Sequence, residues 1–275
     1  MAGVGLISPD WPPPPRVRAA FTLRTGGVSA APYDSLNLGS RIGDSPESVA
    51  ENRRRVRVAL RLPAEPAWLE QVHGIEVVDV LADSADVSSP RTGDAAVARD
   101  AGRVCAIRVA DCMPVLFAAL DGSVVGASHA GWRGLVGGVL EATVARMGVP
   151  ASQVIAWMGP AIGPRHFEVG DDVRTAFLAA AADGGSGVDA RTSGVSAAAA
   201  DPATRVASAF TANARGRWQC DLYALARLRL EALGIASIYG GGWCTFAEAD
   251  RFFSYRRDGQ CGRMAALIWI EPAAR

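Results

Sequence analysis

The 275-residue chain contains no lysine, so all 28 of its basic residues are arginine. That excludes a Schiff-base lysine and a P-loop lysine as the source of its chemistry. Histidine is scarce, at three, and the five cysteines form no CxxC pair. An odd number of widely spaced thiols argues against a disulfide framework and for a reducing compartment. The 28 acidic residues balance the 28 basic ones, which excludes binding of nucleic acid or a membrane surface through bulk charge. No apolar run reaches the roughly 18 residues that span a bilayer. The first fifteen residues lack the basic and apolar regions of a secretory signal. The expectation is a cytoplasmic protein with neither nucleic acid nor membrane as partner; the sequence carries no signal for oligomeric state.

Apolar residues make up 49% of the chain, enough for a sizeable core. A proline run, Pro12 to Pro15, closes a lead-in over 1–20 that is expected to be irregular. Residues 21–24 read as a short strand before the turn Thr25-Gly26-Gly27. Ser45-Pro46-Glu47 combines a capping serine, proline at the first helical position and an acid in the first turn, and predicts a basic helix to about Leu60. Strands over 68–72 and 76–80 flank His73-Gly74. Strands over 104–109 and 114–120 bracket Asp111-Cys112, and a strand over 124–128 leads into His129.

A glycine-punctuated turn, Gly131 to Gly134, opens a helix to about Met147, with Leu135, Val139, Leu140, Val144 and Met147 at helical spacing. A strand over 154–158 precedes Gly159-Pro160, and Asp171 starts a helix through Ala182. Asp221 caps a helix stopped by Gly234, and strands over 235–239 and 265–270 follow. The Ala-, Gly- and Ser-rich stretch at about 183–209 reads as a surface excursion of low order within a single domain, 21–275. Interleaved strands and helices imply an α/β, or mixed α+β, fold. There is no internal repeat and no dinucleotide-type glycine fingerprint.

His73, His129 and Cys112 all fall at predicted strand ends, where a scaffold converges side chains on one point. Two imidazoles and one thiolate suit zinc, and three protein ligands leave a fourth position for water or substrate. Such an ion deprotonates the thiol and lowers the pKa of bound water. The same residues also make a Cys–His nucleophile pair, Cys112 with His129 or His73. Taken singly, each His is a hydrogen-bonded structural residue and Cys112 a small buried apolar side chain. Spacing alone leaves these alternatives open.

Eight segments in fixed order carry a resemblance: Thr25-Gly26-Gly27-Val28-Ser29, Ser35-Leu36-Asn37-Leu38-Gly39, Gln71-Val72-His73-Gly74, Ala110-Asp111-Cys112-Met113-Pro114-Val115, His129-Ala130-Gly131-Trp132-Arg133-Gly134, Gly159-Pro160-Ala161-Ile162-Gly163, Phe167-Glu168-Val169-Gly170 and Ser254-Tyr255-Arg256-Arg257-Asp258-Gly259. From about Phe21 to Ile270 the chain resembles the bacterial YfiH-like family. That family is also known as multicopper polyphenol oxidase (laccase) domain proteins, as purine nucleoside phosphorylases and as peptidoglycan editing factors. The resemblance implies a layered sandwich of mixed sheets flanked by helices, and a zinc ion held by the residues matching His73, Cys112 and His129. It further implies phosphorolysis of adenosine, inosine, guanosine and methylthioadenosine, with adenosine deamination alongside. Met113 departs from a frequent Leu. Arg165-His166 stand where small or Cys residues are common, so His166 is not an expected ligand.

Phosphorolysis requires phosphate held near the anomeric carbon, for which arginine forks and helix N-termini are suited. Arg53 and Arg133 are the candidates, with a solvated helix face as the alternative for each. Asp111 is the candidate general base or orienter of a ligand His, or else a turn cap. Asn37 is a candidate for contacting sugar or base, or else a turn residue beside Gly39. Glu168 is a candidate support to the site or a structural ion pair; Trp132 and Tyr255 stack on a purine or pack in the core.

Three other functions are weighed against this one. A copper polyphenol oxidase of laccase type needs several coppers and many imidazoles, and three His cannot build that cluster. A hydrolase editing peptidoglycan precursors could use Cys112 as nucleophile or ligand. A non-catalytic zinc module normally closes its site with a fourth protein ligand, for which Cys244 or His166 would serve.

Overall fold

The computed structural model describes residues 3–81, 90–182 and 201–273. In chain order the elements are β1 (Leu6–Ile7), β2 (Val17–Thr22), α1 (Pro46–Leu60), β3 (Ala67–Trp68), β4 (Val77–Asp79), β5 (Ala95–Ala98), β6 (Val104–Val109), β7 (Met113–Ala119), β8 (Val125–Ala130), α2 (Trp132–Gly137), α3 (Val139–Met147), β9 (Val154–Met158), β10 (Glu168–Val169), α4 (Asp171–Ala182), α5 (Pro202–Ala207), β11 (Phe210–Ala212), β12 (Trp218–Cys220), α6 (Leu222–Ala232), β13 (Ser237–Gly240), α7 (Tyr255–Asp258) and β14 (Met264–Ile270).

Alternation along the central strands sorts their side chains into apolar layers. On β14, Met264, Ala266, Ile268 and Ile270 face one way and Ala265, Leu267 and Trp269 the other. On β7, Leu116 and Ala118 oppose Met113, Val115 and Phe117. A strand apolar on both faces must be covered on both. The five-stranded sheet, ordered β1-β2-β14-β6-β3, therefore packs one face on the six-stranded sheet, ordered β13-β9-β7-β8-β5-β4. The outer face of the first is covered by α1, through Val56, together with Leu36 and Leu38. The outer face of the second is covered by α2, α3, α4 and α6, through residues such as Leu135, Leu140, Phe177 and Leu225. The outcome is a helix–sheet–sheet–helix sandwich of mixed α/β type, with a small third sheet ordered β10-β12-β11 at its side. Among the described residues no helix is long and apolar enough to cross a membrane.

Local chemistry fixes the helix ends. Ser45 Oγ accepts the Ser48 N–H at 3.1 Å to start α1, and Asp221 accepts the Ala224 N–H at 3.0 Å to start α6. Several expectations need correction. The lead-in holds β1, and β2 opens at Val17 rather than at 21, because Val17 is buried beneath the sheet. The single helix expected to Met147 is two, α2 and α3, broken at Gly138 with φ of 99°. His129 lies inside β8 rather than after it. β5, β10, β11, β12 and α7 carried no legible pattern. Of the excursion at 183–209, residues 183–200 lie outside the described residues, and 202–207 form α5.

The topology places the site. β3 edges one large sheet and β4 edges the other, so residues 69–76 must cross the seam between sheets, and His73 lies in that crossing. β7 and β8 pair antiparallel with Pro114 opposite His129. This brings Cys112, just before β7, to the same end as His129.

Candidate metal centre

The ligand atoms of His73, Cys112 and His129 lie within 4.8 Å of one another, and among the described residues these three make up the group. Sγ of Cys112 is 3.7 Å from Nε2 of His73, and the two imidazole rings meet edge to face at 4.7 Å. A tetrahedral ion with bonds of roughly 2.05 Å to nitrogen and 2.3 Å to sulfur would hold those two atoms about 3.6 Å apart, so this pair has the spacing of ligands to a common metal ion. Cys244 and His166, weighed above as closing ligands, pair with each other instead.

Asp94 organises the group. Fully buried, its carboxylate accepts four N–H bonds: from Nδ1 of His129 at 2.8 Å and from the main chain of Val72, His73 and Gly74 at 3.1, 2.9 and 2.6 Å. With Nδ1 engaged, Nε2 of His129 is left to bind an ion. The three main-chain bonds also hold His73 at φ 63°, a left-handed conformation that His adopts more readily than most residues. Burial pushes the Asp94 carboxyl up, but the His129 bond and the Gly74 amide outweigh it and hold it below the ordinary value.

Burial likewise opposes a thiolate at Cys112. The charge and hydrogen bond of His129, with His73 behind it, prevail and bring the thiol down to about 6. Burial disfavours a charged His129, yet Cys112 and Asp94 raise its pKa to about 9. Both shifts run toward a thiolate beside an imidazolium. Gly131 is essential to the closeness of the group: a Cβ there would stand 3.0 Å from Cys112 Sγ and 3.1 Å from His73 Cδ2.

The three donors open into a cavity of about 840 Å³ whose lining includes Arg41, Arg53, Arg103, Arg108 and Arg263, along with Glu65 and Glu70, the latter paired with Arg41. Arg53 donates Nε and a terminal nitrogen to the Leu38 carbonyl and lies 4.4 Å over Trp68. Burial brings its pKa down to about 10, against the pull of Glu65. Arg108 is lowered to about 10 by burial and then by the neighbouring charges of Arg53, Arg263 and Arg41. Its buried Nε has no hydrogen-bond partner among the described residues. Partly buried cations that repel one another, with one nitrogen unspent, are suited to an anion.

The other candidates are placed differently. Arg133 is exposed, stacks 4.5 Å over Trp132 and does not line the cavity. Asn37 is fully buried; it donates to Gly39 and Asp44 and accepts from Gly39 and Arg263, so its amide is spent on a turn. Asp111 is at φ 86°, and its carboxylate accepts from Thr245 Oγ1 at 2.6 Å and the Arg256 N–H at 2.7 Å. The orienting bond expected of Asp111 is made by Asp94. Glu168 accepts from Asn213 and Arg215, and Tyr255 is an exposed residue on the cavity rim. Asp94 and Arg108 escaped the sequence reading. The one available signal for Arg108 is a charge set inside the apolar strand Val104–Val109.

A sandwich with a His–Cys–His group at its seam defines a class that sequence comparison also finds. The family model described as multi-copper polyphenol oxidoreductase laccase matches residues 18–271. The chain belongs to this YfiH-like, laccase-domain family. It is 48% identical over 266 residues to a Pseudomonas aeruginosa protein named purine nucleoside phosphorylase, covering 96% of this chain and 98% of that one. It is 46% identical to Escherichia coli purine nucleoside phosphorylase YfiH, with 96% and 98% covered. Among solved structures, a Neisseria meningitidis protein superposes with a TM-score of 0.84 at 42% identity, covering 98% of this chain and all of that one. YlmD from Geobacillus stearothermophilus superposes at 0.83 and 31% identity, with 99% and 98% covered.

Proposed function

We propose that this protein is a zinc-dependent purine nucleoside phosphorylase. In this reading it converts adenosine, inosine, guanosine or methylthioadenosine and phosphate to the free base and ribose 1-phosphate, and it deaminates adenosine as a side reaction. The observation that carries the reading is a three-donor group with room for a fourth ligand, opening onto a cavity lined by partly buried arginines. Relatives named purine nucleoside phosphorylase at nearly full coverage support it.

His73, Cys112 and His129 would hold the ion, and Asp94 fixes the tautomer and orientation of His129. When bound, zinc supplies a Lewis acid and a water whose pKa falls to about 7. Arg53 and Arg108 take the phosphate, which attacks the anomeric carbon as the bond to the purine nitrogen breaks and its electron pair leaves with the base. Tyr255, on the rim, stacks on the purine in this reading. The closed-site alternative loses support because Cys244 and His166 do not join the group. Two imidazoles in the group, from three His in the whole chain, also leave too few nitrogens for a multicopper cluster.

The test incubates metal-analysed protein with adenosine, with and without phosphate. Adenine formed only with phosphate supports the reading, and inosine formed without phosphate supports the deaminase arm. Neither product from protein carrying one zinc favours precursor editing, and copper in place of zinc favours the oxidase.

A further inference from the structure

A second thiol also faces an imidazole, away from the candidate metal centre. Sγ of Cys244 lies 3.4 Å from Nδ1 of His166, and the main-chain N–H of Gly163 donates to the same sulfur at 3.3 Å. The His166 ring is held by stacking on Phe246, 4.5 Å away and 16° from parallel. The pair borders its own cavity of about 210 Å³, with Arg165, Tyr223 and Trp243 also in the lining. Cys244 is partly exposed there, whereas Cys105, Cys220 and Cys261 are buried. The other polar groups nearby are already engaged. Glu248 accepts the Cys244 N–H at 2.9 Å and pairs with Arg251. The Tyr223 hydroxyl accepts from Ala161 N–H and lies against the carbonyls of Gly159 and Trp243. A partly exposed thiol with an imidazole nitrogen and an amide donor on its sulfur has the geometry of a thiol set up for exchange.

We propose that Cys244 is a modification site that exchanges with a small disulfide carrying carboxylates, of the glutathione disulfide kind. The Cys244 S–H gives its proton to Nδ1 of His166, and the sulfur attacks one sulfur of the reagent. The reagent's S–S bond breaks as the Cys244 mixed disulfide forms. The departing thiolate takes the proton from His166 and leaves as a thiol, so the protein sulfur is oxidised and half of the reagent reduced. Arg165, exposed at the rim, complements the carboxylates.

The site reaches the metal centre through two bonds. Thr245, next to Cys244, donates to the Asp111 carboxylate, and the Ile162 N–H, next to Gly163, donates to the Asp111 carbonyl at 2.9 Å. Both hold the left-handed turn that sets Cys112. A group added to Sγ displaces the Gly163 N–H and loosens both. This coupling rests on the function proposed above; the modification itself does not.

The full chain, purified with its metal, is incubated at neutral pH with glutathione disulfide and mapped by mass spectrometry. One mixed disulfide on Cys244, reversed by dithiothreitol, is expected. His166→Asn and His166→Gln should slow its formation about tenfold or more, and uncharged hydroxyethyl disulfide should react more slowly than the glutathione reagent. Failure of the folded wild-type chain to form the adduct overturns the proposal, as does an unchanged rate in a folded His166 variant. Metal release on modification of the wild type, absent from Cys244→Ser, supports the coupling to Asp111. An adduct that leaves metal content unchanged overturns that coupling alone, whatever the enzyme's substrate proves to be.

Discussion

The carboxylate of Asp94 lies 2.8 Å from Nδ1 of His129 and at the same time gathers the backbone N–H groups of residues 72–74. One buried side chain thus fixes the His129 imidazole, on β8, and the backbone that carries His73, in the crossing between the sheets. Asp94→Asn keeps the shape but offers one acceptor oxygen where two are used, and turns an NH₂ toward N–H donors. Metal affinity should fall about 10- to 100-fold, and stability should fall by about 1–3 kcal/mol for the unsatisfied donors. Competition against a chelator and thermal melting measure the two. Wild-type affinity in the Asn variant would remove Asp94 from its role.

Metal removal should expose a reactive sulfur. Burial resists the charge, but His129 and His73 bring the Cys112 thiol down to about 6, which favours the thiolate in the metal-free protein. Iodoacetamide should then label Cys112 quickly, and added zinc should suppress the labelling. Cys105 and Cys220, which burial pushes upward, should stay unlabelled in the folded chain. Labelling of Cys112 that zinc does not change would indicate a free nucleophile rather than a ligand.

Much of this architecture is legible in the order of residues. The caps at Ser45 and Asp221, the all-apolar run at 154–158 and the run at 104–109, apolar but for Arg108, declare themselves locally, because each depends on neighbours in sequence. The convergence of His73, Cys112 and His129 follows from motif resemblance and from their positions at strand ends. Asp94 stayed hidden because its partners are 20 to 35 residues away, and a lone Asp after Gly93 reads as a turn. For Asn37 the difficulty is the opposite one: a buried Asx turn, which the structure shows, and a ligand-binding amide look the same in sequence. A helix-opening arginine such as Arg133 has no sequence mark telling whether it faces the cavity or, as here, lies on Trp132.

Acid should weaken one tie between the six-stranded sheet and α3. Asp79, at the end of β4, is held below its ordinary pKa by Arg146, against burial, with Arg99 adding to the effect. A carboxyl depressed in the folded state stabilises above its unfolded value and loses that contribution as pH falls through the folded one. Because Asp79 is partly solvated, Asp79→Asn should cost only a few tenths to about 1 kcal/mol at pH 7. The gap between variant and wild type should close below about pH 3.9 as the carboxyl protonates. Denaturant melts at pH 7 and at progressively lower pH test this, and a gap independent of pH would contradict it.

Gly131 separates steric closure of the centre from folding. Its φ of −63° suits any residue, so Gly131→Ala imposes no backbone strain. The added Cβ enters between Cys112 Sγ and His73 Cδ2 at 3.0 and 3.1 Å, tighter than ordinary contact. The variant should fold with nearly wild-type melting temperature, yet lose metal affinity and turnover by about tenfold or more, in line with the cost of small misplacements at reacting centres. A variant that binds metal normally would show that the three donors need not be this close.

The two arginine candidates can be told apart by their surroundings. Arg53 lines the cavity with part of its fork unspent, beside Arg108 and its unpartnered Nε. Arg133 is exposed on the outside of α2 against Trp132. Removing a desolvated charge that binds an anion typically costs about 2–5 kcal/mol, whereas a surface arginine costs a few tenths. Arg53→Ala should therefore raise the KM for phosphate by about tenfold or more, with a smaller effect on nucleoside KM, and Arg53→Lys should recover part of the loss by restoring the charge without the fork. Arg133→Ala should leave both constants within about twofold. A large phosphate effect at Arg133 together with none at Arg53 would move the anion site out of the cavity, and with it the direction from which phosphate approaches the sugar.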